Sequence, residues 1–164
     1  MTNLTRMVGL SGIAAATVLI SVAAIAGPRG NVPFPANYRH WTHTKSVVAF
    51  NKDDPFFGFR NVYANDPALE AMKTGVAYPD GSVLIMSFHQ PIKGDGTYAM
   101  GKAIKYVVMA KDRKKFAATD GWGYEAYKAK SLTPIVGNAM MAKCHGCHVG
   151  GAKKSDFVFS KYAR

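Results

Sequence analysis

Cysteine is scarce in this chain of 164 residues: there are two, Cys144 and Cys147, both near the C-terminus. A closed zinc site usually draws its ligands from two separated pairs, and no second pair exists here. A dithiol oxidoreductase is expected to carry its C-x-x-C early, within a βαβ pattern, whereas this one lies late. Acidic residues are also few, 10 against 21 Lys and Arg, which gives a formal net charge of +11. No Asp or Glu occurs between Thr97 and Lys111, so a whole predicted strand is without a carboxylate. Internal repeats and low-complexity tracts are lacking, and the length is that of a single domain.

What is present begins with the cysteines themselves. Cys144-His145-Gly146-Cys147-His148 reads as C-x-x-C-H, the attachment signature of a c-type haem. Two thiols on one helical turn can each add to a vinyl group of the same porphyrin, giving two thioethers. The histidine that follows can then supply an imidazole nitrogen to the iron. On this reading Cys144 and Cys147 hold one covalent haem c and His148 is its proximal iron ligand. His145 fills a variable position and reads as a bystander on the haem edge.

Residues 1–26 are read as an export signal. Arg6 is the sole charged side chain, a run rich in Ala, Val, Ile and Leu follows, and Ala24-Ile25-Ala26 has the small-x-small pattern of a cleavage site. The run is long enough to span a bilayer, so an uncleaved inner-membrane anchor is the alternative, and only then is the protein membrane-bound. Either way the domain of residues 27–164 is exported, and a periplasmic location suits covalent haem attachment. An exported haem protein leaves nucleic acid out as the partner of the basic surface. Lys111-Asp112-Arg113-Lys114-Lys115 and Lys153-Lys154 read as solvated clusters, with steering toward an acidic redox partner or an anionic membrane surface as the functional alternative.

The pattern of the domain is α+β: a mostly antiparallel sheet with short helices and the haem motif at its C-terminal end. Strands are expected at 42–48, 56–64, 82–88, 98–110 and 121–127. Leu84, Met86 and Phe88 fall on one face of the third, and Lys105, Val107 and Met109 on one face of the fourth. Asn65 or Asp66 caps a helix that has Pro67 in its first turn and Gly75 as its stop. Short helices are expected at 114–117 and 138–143, the second delivering the motif, and the apolar tail 156–162 is expected to pack back on the body.

Two familiar haem folds do not fit. Small class I cytochromes c place C-x-x-C-H near the mature N-terminus, and cytochromes c′ of the four-helix type need long amphipathic helices. The chain instead resembles the cytochrome P-460 family, which includes the cytochromes c′-beta. The resemblance is carried by Pro35-Ala36-Asn37-Tyr38-Arg39-His40-Trp41, Val62-Tyr63-Ala64-Asn65-Asp66, Pro79-Asp80-Gly81-Ser82-Val83, Lys111 through Ala117, Gly121-Trp122-Gly123 and Asp156-Phe157-Val158-Phe159, in order with the haem motif. It implies a periplasmic, usually homodimeric, monohaem protein whose iron is five-coordinate with an open distal face.

Members of that family differ in function. The hydroxylamine-oxidising ones carry a lysine cross-linked to the porphyrin, and the matching position here is Met86. They also use a distal carboxylate, and the matching position falls at about Val107. Lys73 and Lys105 are the available substitutes, each with a solvated surface lysine as the plainer reading. Without a proton acceptor, a bound nitrogen substrate is not readily deprotonated and oxidised. Phe57, Phe59, Leu84, Met86 and Val107, with Phe56 and Phe88, are instead read as walls of a dry pocket for a small ligand such as nitric oxide, with Arg60 as a hydrogen-bond donor. A sixth ligand from the Met86 thioether would favour electron transfer, although a methionine on an apolar strand face is more often core.

Overall fold

Residues 31–163 are described by a computed structural model of the protein. The expected export signal, residues 1–26, lies outside them. Among the described residues no helix is long and apolar enough to cross a membrane.

Alternating side chains and well-placed turns produce five strands: β1 (Thr42–Ala49), β2 (Gly58–Ala64), β3 (Val83–Lys93), β4 (Tyr98–Lys111) and β5 (Trp122–Lys128). They form one antiparallel sheet in sequence order, so each strand pairs with its chain neighbour. Two helices complete the α+β fold, α1 (Asp66–Thr74) between β2 and β3, and α2 (Asn138–Ala152) after β5.

Both faces of the sheet are apolar, and each has its own cover. On one face Val62, Ala64, Leu84, Trp122 and Tyr124 pack with Ala68 and Ala71 of α1 and with Phe157 and Val158 of the tail. On the other, Ile85, Tyr106, Val108 and Tyr127 pack with Val32 and Tyr38 of the entry segment. Phe34 sits among Tyr38, Tyr106 and Tyr127 at edge-on centroid distances of 5.2–6.1 Å. The expected return of the tail onto the body is therefore made through Phe157 and Val158, both buried.

Helix α1 is bounded by the residues that the sequence marks. The Asn65 side chain accepts from the Ala68 N–H, a proline sits in the first turn, and Gly75 closes the helix at φ 75°. Asn65 does more than cap: its Oδ1 also accepts from Val83 N at 2.9 Å, and its Nδ2 donates to the Gly81 carbonyl at 2.9 Å. It thereby fastens the start of α1 to the start of β3. Asn65→Ala is expected to cost about 2 kcal/mol, a cap plus the β3 contacts, read as a lowered midpoint of thermal unfolding.

Besides α2, which runs beyond its expected end at residue 143, three elements differ from the sequence expectation. Strand β2 starts at Gly58 rather than residue 56, because residues 51–57 are held in turns by Asp54 N–H to Asn51 O and Phe57 N–H to Asp54 O bonds. Strand β3 runs on through Pro91 to Lys93; the register shifts at His89 and Pro91, where an imino acid without an N–H is tolerated. The expected helix at 114–117 is a turn followed by a 3₁₀ segment, Ala117–Thr119. There the Asp112 carboxylate accepts from the N–H groups of Lys114 and Lys115, and the Phe116 ring covers Gly123, where any Cβ would collide with it.

Candidate haem site

The motif is part of α2 itself. The helix continues past residue 143 through the cysteines and ends at Ala152. A helical repeat places Cys144 one turn from both Cys147 and His148, so all three share a side. Both cysteines are free; Cys144 is half-buried against the α1-side core and Cys147 is exposed. Burial pushes the Cys144 thiol up from its ordinary value, with Cys147 and Glu125 adding to the effect and a backbone hydrogen bond opposing it.

His148 is held from one side only. Its Nδ1–H donates to the Phe157 carbonyl at 2.6 Å, which fixes the tautomer and leaves the Nε2 lone pair for a metal. The ring lies between Tyr124 and Phe159, at centroid distances of 5.0 and 4.8 Å. Phe159 reaches the imidazole by lying over Gly151, where a Cβ would come within 2.4 Å of its ring. Burial holds His148 below the ordinary imidazole value, the Phe157 bond acts in the opposite sense, and His145 adds slightly to the lowering. A neutral imidazole is the form that binds iron.

His145 is buried and has both nitrogens engaged, which replaces the expectation of a bystander with that of a clamp. Nε2 contacts the Asp120 carboxylate at 2.9 Å and Nδ1 contacts the Tyr124 hydroxyl at 3.1 Å. With Nε2 protonated toward the carboxylate, Nδ1 accepts from Tyr124, and the side chain ties α2 to β5 and to the turn before it. Burial, followed by the nearby Cys144, Asp120 and Asp156, pushes the Tyr124 hydroxyl well up, so it stays a donor.

Strand register sorts the remaining candidates. Val62, Met86, Val107 and Ala126 are successive cross-strand partners and form one row. Ala64, Leu84, Met109 and Tyr124 form the next row, and Arg60, Phe88, Lys105 and Lys128 the row on the other side. All three rows are on the face that carries α1 and α2. Leu84 is deep core at 5% exposure, whereas Met86, Val107 and Met109 are half-exposed, and Met86, Met109, Met141 and Cys144 abut the same cluster.

Phe59 is on the opposite face, paired with Val48 and His89, and is removed from the pocket. Phe57 belongs to the turn before β2 rather than to the sheet. Phe56 lies near Phe88 at 6.4 Å, and the Arg60 guanidinium is 5.6 Å from the Phe56 ring. Lys105 is not a solvated surface lysine. Its Nζ donates to the Pro55 carbonyl at 3.0 Å and lies 4.6 Å from the Phe88 ring, and burial lowers its pKa. Lys73, by contrast, is exposed on α1, its amine 5.5 Å from the Tyr162 ring.

These residues fit a haem. The donor set offers two free thiols and an imidazole with one nitrogen already committed, beside an apolar wall that remains half-exposed. Arg60 Nε, on the same face, is buried without a hydrogen-bond partner. A cavity of about 720 Å³ elsewhere, between α1 and the tail, is lined by Met72, Lys73, Tyr78 and Tyr162 and includes no motif residue.

The sequence motif and this geometry agree with the family comparison. The family model described as Cytochrome P460 matches residues 35–160, from the entry segment to the tail. Comparison with curated proteins gives no match. The chain belongs to the cytochrome P460 family, which makes it a haem-binding cytochrome of c type at family level.

Proposed function

We propose that the protein is an exported monohaem c-type cytochrome that takes nitric oxide or a related small ligand at an open distal haem face. The observation that carries this reading is the side-chain set on the helix-bearing face. Across β2 to β5 it presents Arg60, Met86, Lys105, Val107 and Met109, partly exposed above buried Val62, Leu84, Phe88 and Tyr124, and no carboxylate among the strand side chains. When bound, haem c would supply an iron centre able to take a diatomic ligand.

The chain's own residues would divide the remaining work. Cys144 and Cys147 anchor the group, His148 binds the iron through Nε2, and Phe157 orients His148. Met86 and Val107 exclude water. With no acid among the strand side chains of this face, a hydroxylamine-type substrate finds no base there to receive its protons, so the capture of a small ligand fits better than its oxidation. Periplasmic location and a homodimeric state accompany this reading through the family resemblance.

A second reading, electron transfer, is favoured by one specific observation: Met86 is on this face and only half-buried. The Met86→Ala variant separates the two. With an open distal face, the variant keeps the parent's spin state and still binds nitric oxide. If its visible spectrum converts from low spin to high spin, Met86 is the sixth ligand and the protein is an electron carrier. Peptide mass mapping tests the hydroxylamine-oxidising alternative, since a porphyrin cross-link to Lys105 would contradict the proposal.

A further inference from the structure

The structure assigns Lys111 a role as a positioning residue for the proximal histidine. The assignment rests on the reading of His148 as the iron ligand. Lys111 is the last residue of β4 and opens a run of basic residues, yet it is only 4% exposed. Its Nζ donates to Asp156 Oδ1 at 2.9 Å and Oδ2 at 3.2 Å, and to the Asp120 carbonyl at 3.1 Å, over the face of Trp122 at 4.9 Å. One ammonium therefore ties together two turns far apart in sequence.

Each of those turns holds one histidine of the motif. Asp120 grips His145 through its carboxylate. Asp156 precedes Phe157, whose carbonyl accepts the Nδ1–H of His148. All three turn residues have left-handed backbone, with φ of 51° at Asp120, 47° at Asp156 and 64° at Phe157. Non-glycine residues keep that conformation where their surroundings fix it, and for a bulky side chain such as Phe157 it is a marked departure. Asp156 is fixed a second time by the Tyr78 N–H, at 2.9 Å. The Lys111–Asp156 pair therefore aims the Phe157 carbonyl.

The strength of the Nδ1–H···O bond sets how much electron density the imidazole gives to a metal at Nε2. If Lys111 aims that carbonyl, its removal weakens the bond and makes His148 a poorer donor.

The test compares the haem-loaded parent with Lys111→Met and with the double variant Lys111→Met/Asp156→Asn. The readouts are the iron–histidine stretching frequency of the reduced protein, the reduction potential and the thermal midpoint. In both variants the frequency is expected to fall and the potential to rise. The double variant is expected to recover much of the midpoint lost by the single one, because it no longer strands a buried carboxylate. A fall in midpoint with frequency and potential unchanged in both variants would reduce Lys111 to a structural ion pair and overturn the assignment. Should Lys111→Met fail to accumulate, Asp156→Asn alone, which keeps an oxygen for Tyr78, gives the same two readouts. A parent with no iron–histidine band would overturn the five-coordinate reading of the iron and leave the reduction potential to decide the assignment, a different failure from an unshifted band.

Discussion

Changing Cys144 and Cys147 together to alanine is expected to abolish covalent haem attachment, so that acidified organic solvent extracts all of the haem from any protein that retains it. The two thiols are the only ones in the chain, and a helical turn brings them to the same side as His148. Neither is committed to another partner, and the imidazole beside them is already oriented by Phe157. Each single variant is expected to keep one thioether and to shift the absorption maximum of the alkaline pyridine complex toward longer wavelength. Intact-mass measurement gives the same answer independently: one haem retained in each single variant and none in the double. Haem that remained bound in the double variant after extraction would mean that another side chain forms the covalent link.

A second large effect is expected at Glu125, far from the thiols in sequence. Its carboxylate is 1% exposed and accepts from three backbone N–H groups, Asn31 at 2.8 Å, Ala126 at 2.9 Å and Val136 at 2.8 Å. Asn31 Nδ2 also donates to the Val136 carbonyl at 3.0 Å, so the entry segment, β5 and the approach to α2 meet at this side chain. Glu125→Ala strands all three donors. At about 1–3 kcal/mol for each unpaired buried donor, and with water reaching the two that are only partly buried, the expected loss is about 3–5 kcal/mol in chemical denaturation. Glu125→Gln keeps one acceptor oxygen and is expected to lose roughly half as much. A loss below about 1 kcal/mol in the alanine variant would show that these bonds are replaced by water without penalty.

The contrast between Glu125 and α1 shows what the sequence could and could not convey. Helix α1 was legible because its signals are local: the cap at Asn65, the proline after it and the left-handed stop at Gly75 lie within 11 residues. The alternation of Leu84, Met86 and Phe88 was legible for the same reason, since period two is a property of the strand alone. Which face carries the haem motif is not. Phe59 alternates as expected within β2, but its exclusion from the pocket follows from the pairing of Arg60 with Phe88 and of Phe59 with His89. Pairing across strands is written in no single segment.

Lys111, His145 and Glu125 were hidden by the same cause. Lys111 looked like part of a solvated basic run because its partner Asp156 lies 45 residues away. His145 looked idle because Asp120 and Tyr124 come 25 and 21 residues earlier. Glu125 reads as one more residue of a strand until Asn31, 94 residues back, donates to it. Lys105 is a milder case: its amine is partly covered because it donates to the carbonyl of Pro55, 50 residues earlier. A charged or polar residue in an otherwise apolar alternation is the one sequence signal that could have marked Lys105, since it falls on the face shared by Val107 and Met109.

On the proposed function, His148 carries an iron whose open side meets strand side chains that include no carboxylate. The most direct test is the visible absorption spectrum of the purified protein, oxidised and reduced, before and after nitric oxide is added. A broad high-spin spectrum that changes sharply with the gas is expected. A sharp low-spin spectrum of the reduced protein, indifferent to nitric oxide, would mean that the sixth position is filled and would contradict that proposal.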